Sequence, residues 1–152
     1  MKLGEALTLR SQLQMRFKQL AERLMSSSFT QEGEPPPEDP DALLHELEEV
    51  AAELEGLVAA INRTNLATVT RSSRTLTDAL ARRDYLTVLQ AAFHRVAESA
   101  SEAQVRYGRT EIKLIRTVDV VALRRRVDEL AKERRELDAE IQEANWQTEL
   151  TT

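Results

Sequence analysis

The stretch VVALRRRVDELAKERRELDAEIQEA, residues 120–144, has the most regular pattern in the chain. Its seam positions recur at alternating steps of three and four, which is the spacing of one packed side of an α-helix. They are Val120, Leu123, Val127, Leu130, Arg134, Leu137, Ile141 and Ala144. The pattern predicts a helix over about 119–146, with Asp119 as its N-cap. Because Arg134 interrupts the apolar seam, we expect its side chain either to extend toward solvent or to meet a carboxylate.

Similar spacing predicts three more helices, over about 2–26, 40–66 and 76–105. Asp39 and Pro40 form a favourable start for the second of these, with Asp39 as the N-cap. The predicted core positions are Leu3, Ala6, Leu13, Phe17, Leu20 and Leu24 in the first, Leu43, Leu47, Val50, Leu54, Leu57 and Ile61 in the second, and Leu76, Leu80, Leu89, Ala92, Phe93, Val96 and Ala100 in the third.

The first two of these helices depart from a simple seam. Arg10 fills the position that the seam of the first helix skips. In the second helix, Leu44, Ala51 and Val58 recur every seven residues and widen the apolar side beyond one seam. A slim helical hairpin would leave such flanking residues partly exposed, which favours association with another chain.

The segments between the predicted helices are mostly polar. Residues 31–41 are rich in proline and acidic residues, which predicts an extended loop. Residues 111–118 include several β-branched residues, which predicts one short β segment. We therefore predict a single all-α domain spanning 1–152, built from long antiparallel helical hairpins or as a four-helix bundle with coiled-coil seams. More than about 65% of its residues should be helical.

Composition excludes several classes of protein. Of the 152 residues 41% are hydrophobic and only 4% aromatic, which disfavours a β-sandwich core. The chain has no cysteine, which excludes disulfides, thiolate catalysis and cysteine-bound zinc. No stretch approaches about 18 consecutive apolar residues, so we expect no transmembrane segment. An amphipathic pattern follows Lys2 directly, where a signal peptide would have a continuous apolar segment, and we predict a cytoplasmic protein.

The residue types offer no recognisable catalytic or metal site. A di-iron helical bundle needs a glutamate three residues before each histidine ligand, but the residues at that spacing before His45 and His94 are alanines. His45 with Glu49, and His94 with Glu98, could start a zinc site or form ordinary surface pairs. The sequence contains neither a phosphate-binding glycine-rich loop nor a nucleophile elbow. We therefore predict that the protein is no enzyme and holds no metal or cofactor.

Charge is distributed unevenly along a chain whose net charge is −5. Residues 32–55 carry ten acidic side chains and no lysine or arginine. The last predicted helix is basic at Arg124, Arg125, Arg126, Lys132, Arg134 and Arg135. Acidic residues are interleaved with these at Asp128, Glu129, Glu133, Glu136, Asp138 and Glu140. Interleaving cancels the long-range field, which favours a solvated helix face that pairs with the acidic second helix over nucleic-acid binding.

Several short motifs, in order along the chain, support a resemblance to a known family. They are Met1–Leu7, Gln31–Gly33, Ile61–Asn65, Arg74–Leu80, Glu111–Lys113, Thr117–Val120 and Asn145–Leu150. Together they resemble a family of small helical bacterial proteins, many of which carry the label septicolysin. The resemblance covers essentially the whole chain and implies a helical fold without an established activity. The label itself implies a membrane-active, cytolysin-like protein, and basic residues opposite the leucines of the first helix are compatible with that alternative.

Our leading hypothesis is a non-enzymatic cytoplasmic protein that self-associates, as a dimer or a higher homo-oligomer, and serves as a scaffold or interaction module. The candidate interaction site is a polar cluster around the junction of the second and third helices. Its members are Asn62, Arg63, Thr64, Asn65, Arg74, Thr75, Asp78, Arg83 and Asp84. The same residues also fit a structural role in capping helices and holding the loop. A membrane-active protein is the alternative hypothesis, and a nucleic-acid-binding helical protein is the third.

Overall fold

The computed structural model of the protein describes residues 1–102 and 115–151. It contains four helices, which are α1 (Leu3–Ser27), α2 (Pro40–Ala67), α3 (Leu76–Glu102) and α4 (Val120–Gln147). About 78% of the described residues are helical and none of them forms a sheet, which confirms the predicted all-α class. Part of the predicted β segment near 111–118 is wrong, because residues 115–118 form no strand. Residues 111–114 lie outside the described residues, as do residues 103–105 of the predicted third helix.

The starts of three helices are fixed by short polar side chains. Asp39 Oδ1 accepts a hydrogen bond from the amide of Asp41 at 3.1 Å, and Asp119 accepts one from an α4 amide at 3.0 Å. At α3, the amide of Asp78 donates to Thr75 Oγ1 at 3.1 Å. The Asp78 carboxylate accepts from the Thr75 hydroxyl at 2.8 Å, and not from the Thr75 amide as a full capping box requires. Aspartate is one methylene shorter than the usual glutamate, which accounts for the difference.

The described chain divides into two compact units. The first comprises Met1–Thr68 with Ala144–Thr152, and the second comprises Val69–Glu143. Helix α4 therefore contributes most of its length to the second unit and its last turn to the first. Each unit is built on one pair of helices, α1 with α2 in the first and α3 with α4 in the second.

The core of the first unit comes from the facing sides of α1 and α2. The buried apolar residues are Leu3, Ala6, Leu13 and Leu20 on α1, and Leu43, Val50, Leu57, Ala60 and Ile61 on α2. Arg16 pairs with Glu46 at 2.7 Å, and Arg23 pairs with Glu38 nearer the connecting loop. Arg23 follows Arg16 on α1, whereas its partner Glu38 precedes Glu46. The two helices therefore run antiparallel, as predicted.

Segments from the two ends of the chain pair with each other in the first unit. The amide of Leu3 donates to the carbonyl of Thr148 at 2.9 Å. Lys2 Nζ lies 2.6 Å from Glu149 Oε1, and Lys2 and Glu149 form an isolated antiparallel bridge. We call this pairing of Met1–Gly4 with Trp146–Leu150 the clasp. It holds the start of α1 against the end of α4.

A close approach between Gly4 and Trp146 completes the clasp. A Cβ atom added at Gly4 would lie 3.0 Å from carbon atoms of the Trp146 ring, so only glycine fits there without displacement. Past the clasp, the amide of Thr151 donates to Thr64 Oγ1 at 2.9 Å. The segment after α4 is therefore fixed to α2 as well as to α1.

In the second unit, α3 and α4 run antiparallel. Arg82 near the start of α3 pairs with Glu133 of α4 at 2.6 Å. Ser101 near the end of α3 accepts a hydrogen bond at 3.2 Å from Arg124, which precedes Glu133 on α4. The predicted seam of α4 is confirmed, because every one of its positions is buried or half-buried. Arg134 is half-buried, and its Nε has no hydrogen-bond partner among the described residues.

The predicted core face of α3 is partly wrong. The buried residues of α3 are Leu76, Ala79, Leu86 and Ala97, whereas Ala92 and Val96 are exposed. The buried and half-buried positions of the observed seam recur at alternating steps of three and four. Two of these positions are occupied by Arg83 and Gln90, which are both half-buried. Polar residues at two seam positions hide the true register from a count of apolar residues.

Candidate functional site

A groove of about 540 Å³ lies on the first unit, on the α1/α2 hairpin. Its lining residues are Phe17, Ala51, Leu54, Glu55, Val58, Ala59 and Asn62. Apart from Glu55 and Asn62 the lining is apolar. An apolar concave surface with a few polar groups at its edge is typical of a binding site.

The groove exists because α2 has two apolar stripes. The inner stripe, with Leu43, Val50 and Leu57 spaced by seven, is buried against α1 and the rest of the first unit. The outer stripe is displaced by one residue and comprises Leu44, Ala51 and Val58. Leu44 is 45% exposed, Ala51 is exposed and Val58 is half-buried. One partner helix can cover only one such stripe, so the outer stripe stays accessible to solvent.

Phe17 forms the α1 wall of the groove. The sequence predicts it as a core residue, but its side chain is 37% exposed and borders the groove. A ring of this size at the rim extends the apolar surface of the outer stripe from α2 onto α1. The prediction of Phe17 as a core position is therefore wrong, and the residue instead becomes part of the candidate site.

The charged residues beside the groove differ between the two helices. Glu48 and Glu55 follow Leu44 and Ala51 by four residues, so both lie along the same edge of the outer stripe. Arg10 precedes Phe17 by seven residues and therefore lies on the same side of α1. Its Nε is buried without a hydrogen-bond partner among the described residues. The groove therefore has an acidic edge on α2 and a basic residue on the α1 side.

Four residues of the predicted polar cluster lie near the end of α2. Asn62 lines the groove, Arg63 is exposed and Asn65 is half-buried. Thr64 is only 1% exposed, and its Oγ1 donates to a backbone carbonyl one turn earlier at 2.8 Å. The same oxygen accepts from the amide of Thr151. Thr64 is thus occupied inside the first unit, whereas Asn62 is placed where it could contact a partner.

The other five residues of the predicted cluster belong to the second unit. Thr75 and Asp78 form the cap of α3 described above. Arg83 Nη2 donates to Oδ1 of its neighbour Asp84 at 2.9 Å, and Arg74 is exposed in the preceding turn. The predicted cluster is therefore divided between the two units, and a role of these residues in binding stays a prediction.

The turn before α3 is anchored on a buried carboxylate. Within the turn, the amide of Thr70 donates to the Arg74 carbonyl at 2.7 Å, and Ser73 has a left-handed φ of 62°. Glu140 of α4 is only 8% exposed and accepts a hydrogen bond from the amide of Ser72. That bond, with others from the side chains of Ser72 and Thr70, holds the pKa of Glu140 below its ordinary value, although burial opposes the shift.

Sequence reasoning places Glu140 on a solvated helix face, and this is wrong. The residue follows the seam residue Leu137 by three and precedes Ile141 by one, so it lies at the margin of the packed side. That spacing was the one feature of the sequence that could have indicated the burial of Glu140. The partner Ser72 is 68 positions away in sequence, and nothing local to either residue indicates the contact.

The described residues contain no group of three or more histidines, aspartates or glutamates that could hold a metal ion. His45 Nδ1 lies 3.4 Å from Glu49, and both side chains are largely exposed, as in an ordinary surface pair. No helix within residues 1–102 and 115–151 has an apolar stretch long enough to cross a lipid bilayer.

Comparison with known proteins gives two matches. The model of a family described as "Family of unknown function (DUF6847)" matches residues 10–150. The chain is also similar to a functionally unknown conserved protein from Corynebacterium diphtheriae, whose crystal structure has been solved. The two chains are 42% identical, 99% of each is covered, and the TM-score is 0.91. None of the curated proteins searched matches the chain.

These matches overturn the resemblance to the septicolysin-labelled family. The matching family model is a different one, and the similar crystal structure is that of a protein of unknown function. Several of the motifs that suggested the resemblance form the clasp and the cap of α3, where they hold the ends of helices. The membrane-active alternative was implied by that label, and neither match supports it.

Proposed function

Because the chain belongs to this family of unknown function, we propose a role from the geometry of its first unit. The protein is a non-enzymatic, cytoplasmic helical protein that self-associates, at least as a dimer, and acts as a scaffold or interaction module. The observation that carries this proposal is the outer apolar stripe of α2, which the first unit leaves exposed at Leu44 and Ala51.

The hydrophobic effect favours association through such a surface. Each Å² of apolar surface removed from water contributes roughly 25 cal/mol. An interface of about 1,500 Å² is of standard size, and the gain from its apolar part exceeds the lower estimates of the cost of association. Leu44 and Phe17, at 45% and 37% exposure, supply large side chains to such an interface.

The non-enzymatic part of the proposal is supported by the use already made of the polar side chains. Thr64 and Glu140, two buried polar residues, hold backbone amides of neighbouring segments. Thr75 and Asp78 cap α3. These groups have structural partners, which leaves them poorly suited to bind and transform a substrate.

Ion pairs on α4 support the part of the proposal that excludes nucleic-acid binding. Arg126 lies 2.9 Å from Glu129, and Lys132 lies 3.9 Å from Glu136. A phosphate backbone would have to compete with these carboxylates for the same cations. Cations such as Arg126 and Lys132, which are paired within their own helix, provide little attraction for DNA or RNA.

Sedimentation equilibrium at concentrations from about 1 to 100 μM tests self-association, because the mass obtained does not depend on shape. We expect a mass that rises with concentration to at least twice that of one 17.2 kDa chain. A mass of one chain at every concentration would overturn the proposal.

A further inference from the structure

We infer that the groove on the α1/α2 hairpin receives the same hairpin of a second copy, with α1 of one copy packed against α2 of the other. This inference rests on the self-association proposed above and adds the surface, the orientation and the charge pairing. It comes from three features of the first unit, which are the outer stripe, the acidic edge of α2 and the basic character of α1.

The outer stripe needs an occupant with matching apolar residues. Leu44, Ala51 and Val58 recur every seven residues, with Leu47 and Leu54 between them at steps of three and four. This is the spacing by which one α-helix packs along another. The expected occupant is therefore a helix that presents apolar side chains such as Phe17, and the small side chain of Ala51 at the centre of the outer stripe permits close approach.

Charge then selects which helix faces α2. Helix α2 carries six acidic side chains and one arginine, whereas α1 carries four basic and two acidic side chains. Glu48 and Glu55, on the edge of the outer stripe, form no ion pair among the described residues. Two α2 helices face to face would bring these carboxylates together, which is unfavourable. Arg16 and Arg23 of α1 already pair within the first unit, which leaves Arg10 and Lys18 of its four basic side chains. Facing α2, these two cations would neutralise the acidic edge.

A two-fold axis can bring the apolar surfaces together and also pair the acidic helix with the basic one. When two identical hairpins meet face to face, an axis parallel to the helices places α1 of each copy over α2 of the other. An axis perpendicular to the helices would instead place α2 over α2. Only the first arrangement pairs acidic with basic helices, and it does so twice because the interface is symmetric. In that arrangement α1 and the facing α2 run antiparallel, as they do within one hairpin.

Arg10 gives this orientation a specific cation. It lies on the same side of α1 as Phe17, and its Nε is buried without a hydrogen-bond partner within the described part of the chain. Arg10 as a whole is half-buried and forms no ion pair among the described residues, so its charge is left for a carboxylate on the acidic edge of a facing α2. The geometry therefore provides an unpaired cation and unpaired carboxylates on the helices that this orientation brings together.

Two neighbouring alanines provide a matched test of the surface. Ala51 and Ala52 are both exposed on α2, but only Ala51 lines the groove. With sedimentation equilibrium on the full chain, we expect Ala51→Glu to raise the dimer dissociation constant at least about tenfold, because it buries a charge in an apolar interface. We expect Ala52→Glu, the same change one position along, to alter it by less than about threefold.

A charge reversal tests the orientation and does not depend on the fold of the first variant. Glu55 and Glu53 are both exposed, but only Glu55 borders the groove. We expect Glu55→Lys to raise the dissociation constant about three- to tenfold because it would face basic α1, and Glu53→Lys to leave it unchanged. Unchanged or tighter association of Glu55→Lys would overturn the α1-to-α2 orientation, because that orientation places position 55 opposite basic α1. If the wild type is a dimer but Ala51→Glu and Ala52→Glu dissociate alike, the interface lies elsewhere and this inference fails, while the self-association stands. A monomeric wild type would instead refute the proposed function itself.

Discussion

Helices α2 and α4 have similar buried sides but very different outer faces. Each has a regular seam of buried and half-buried residues. Outside that seam α2 exposes Leu44 and Ala51 in one stripe with Val58, whereas the outer face of α4 carries ion pairs such as Arg126 with Glu129 beside isolated exposed residues such as Val121. A hairpin needs only one buried seam per helix to fold. The outer stripe of α2 therefore exceeds what the fold requires, and this surplus supports a binding role for the first hairpin.

The largest effect is expected from the buried seam of α4. Leu130 is 0% exposed, so Leu130→Ala should lower the free energy of unfolding by about 2–5 kcal/mol through lost burial and a cavity. Val121 on the same helix is 71% exposed, and Val121→Ala should cost less than about 0.5 kcal/mol. Chemical denaturation followed by circular dichroism compares the two. Equal losses would mean that the inner and outer faces of α4 are assigned wrongly.

A smaller effect is expected at the clasp of the first unit. Gly4→Ala would place a Cβ 3.0 Å from the Trp146 ring, and overpacking of this kind costs about 1–3 kcal/mol. At Gly56, in the middle of α2, an added Cβ meets nothing within 4 Å. Gly56→Ala should therefore stabilise the protein by up to about 1 kcal/mol through helix propensity.

Urea denaturation of both variants, with the fluorescence of Trp146 as the signal, reads out the clasp directly. Trp146 is the one tryptophan of the chain, so the emission reports on this site alone. Loss of stability in Gly56→Ala as large as in Gly4→Ala would show that the close approach to the ring is not the cause.

Removal of the charge that anchors the turn of the second unit should cost about 1 kcal/mol at pH 7. Glu140→Gln keeps an acceptor for the Ser72 amide but loses the charge-assisted part of the bond. Because folding lowers the pKa of Glu140, its contribution is complete above the unfolded-state value of about 4.3 and is lost as the pH falls through the folded-state value.

Denaturation curves at pH 7 and pH 3 test this dependence of the free energy of unfolding on the protonation of Glu140. The wild type should lose more stability on acidification than Glu140→Gln, so the difference between the two proteins should shrink at low pH. Glu136→Gln, at an exposed position of the same helix, serves as the control for general charge effects. A difference that is equal at both pH values would contradict the assigned cause.

The smallest effect is expected from the charged outer face of α4. Lys132 lies 3.9 Å from Glu136, and both side chains are about 70% exposed, at 71% and 69%. Exposed pairs of this kind contribute about 0.3–0.5 kcal/mol, so Lys132→Ala should change the free energy of unfolding by no more than that. Thermal denaturation at low salt checks this value. A loss above about 1 kcal/mol would mean that this face of α4 is covered by something.

Local spacing was sufficient to predict most of the fold. The seam of α4 is uninterrupted except at Arg134, and its register is correct throughout. On α3 the seam passes through Arg83 and Gln90, and a search for apolar residues selects Ala92 and Val96 on an exposed face instead. Where polar residues occupy seam positions, only the packing against the partner helix defines the register.

Contacts between distant parts of the chain could not be predicted from spacing. Gly4 and Trp146 are 142 positions apart, and Ser72 and Glu140 are 68 apart, so neither pair leaves a local pattern. The candidate surface was partly predictable, because the widening of α2 by Leu44, Ala51 and Val58 is visible in the sequence. The position of Phe17 at its rim was not, since its spacing on α1 is that of a core residue.

The most direct test of the account is hydroxyl-radical footprinting below and above the concentration at which the chain associates. We predict that oxidation of Leu44 and Phe17 slows severalfold at the higher concentration, because a second copy covers the outer stripe. Val121 on α4, which is 71% exposed, should be oxidised at the same rate at both concentrations. Unchanged oxidation of Leu44 and Phe17 across that range would contradict the claim that the outer stripe of α2 is an association surface.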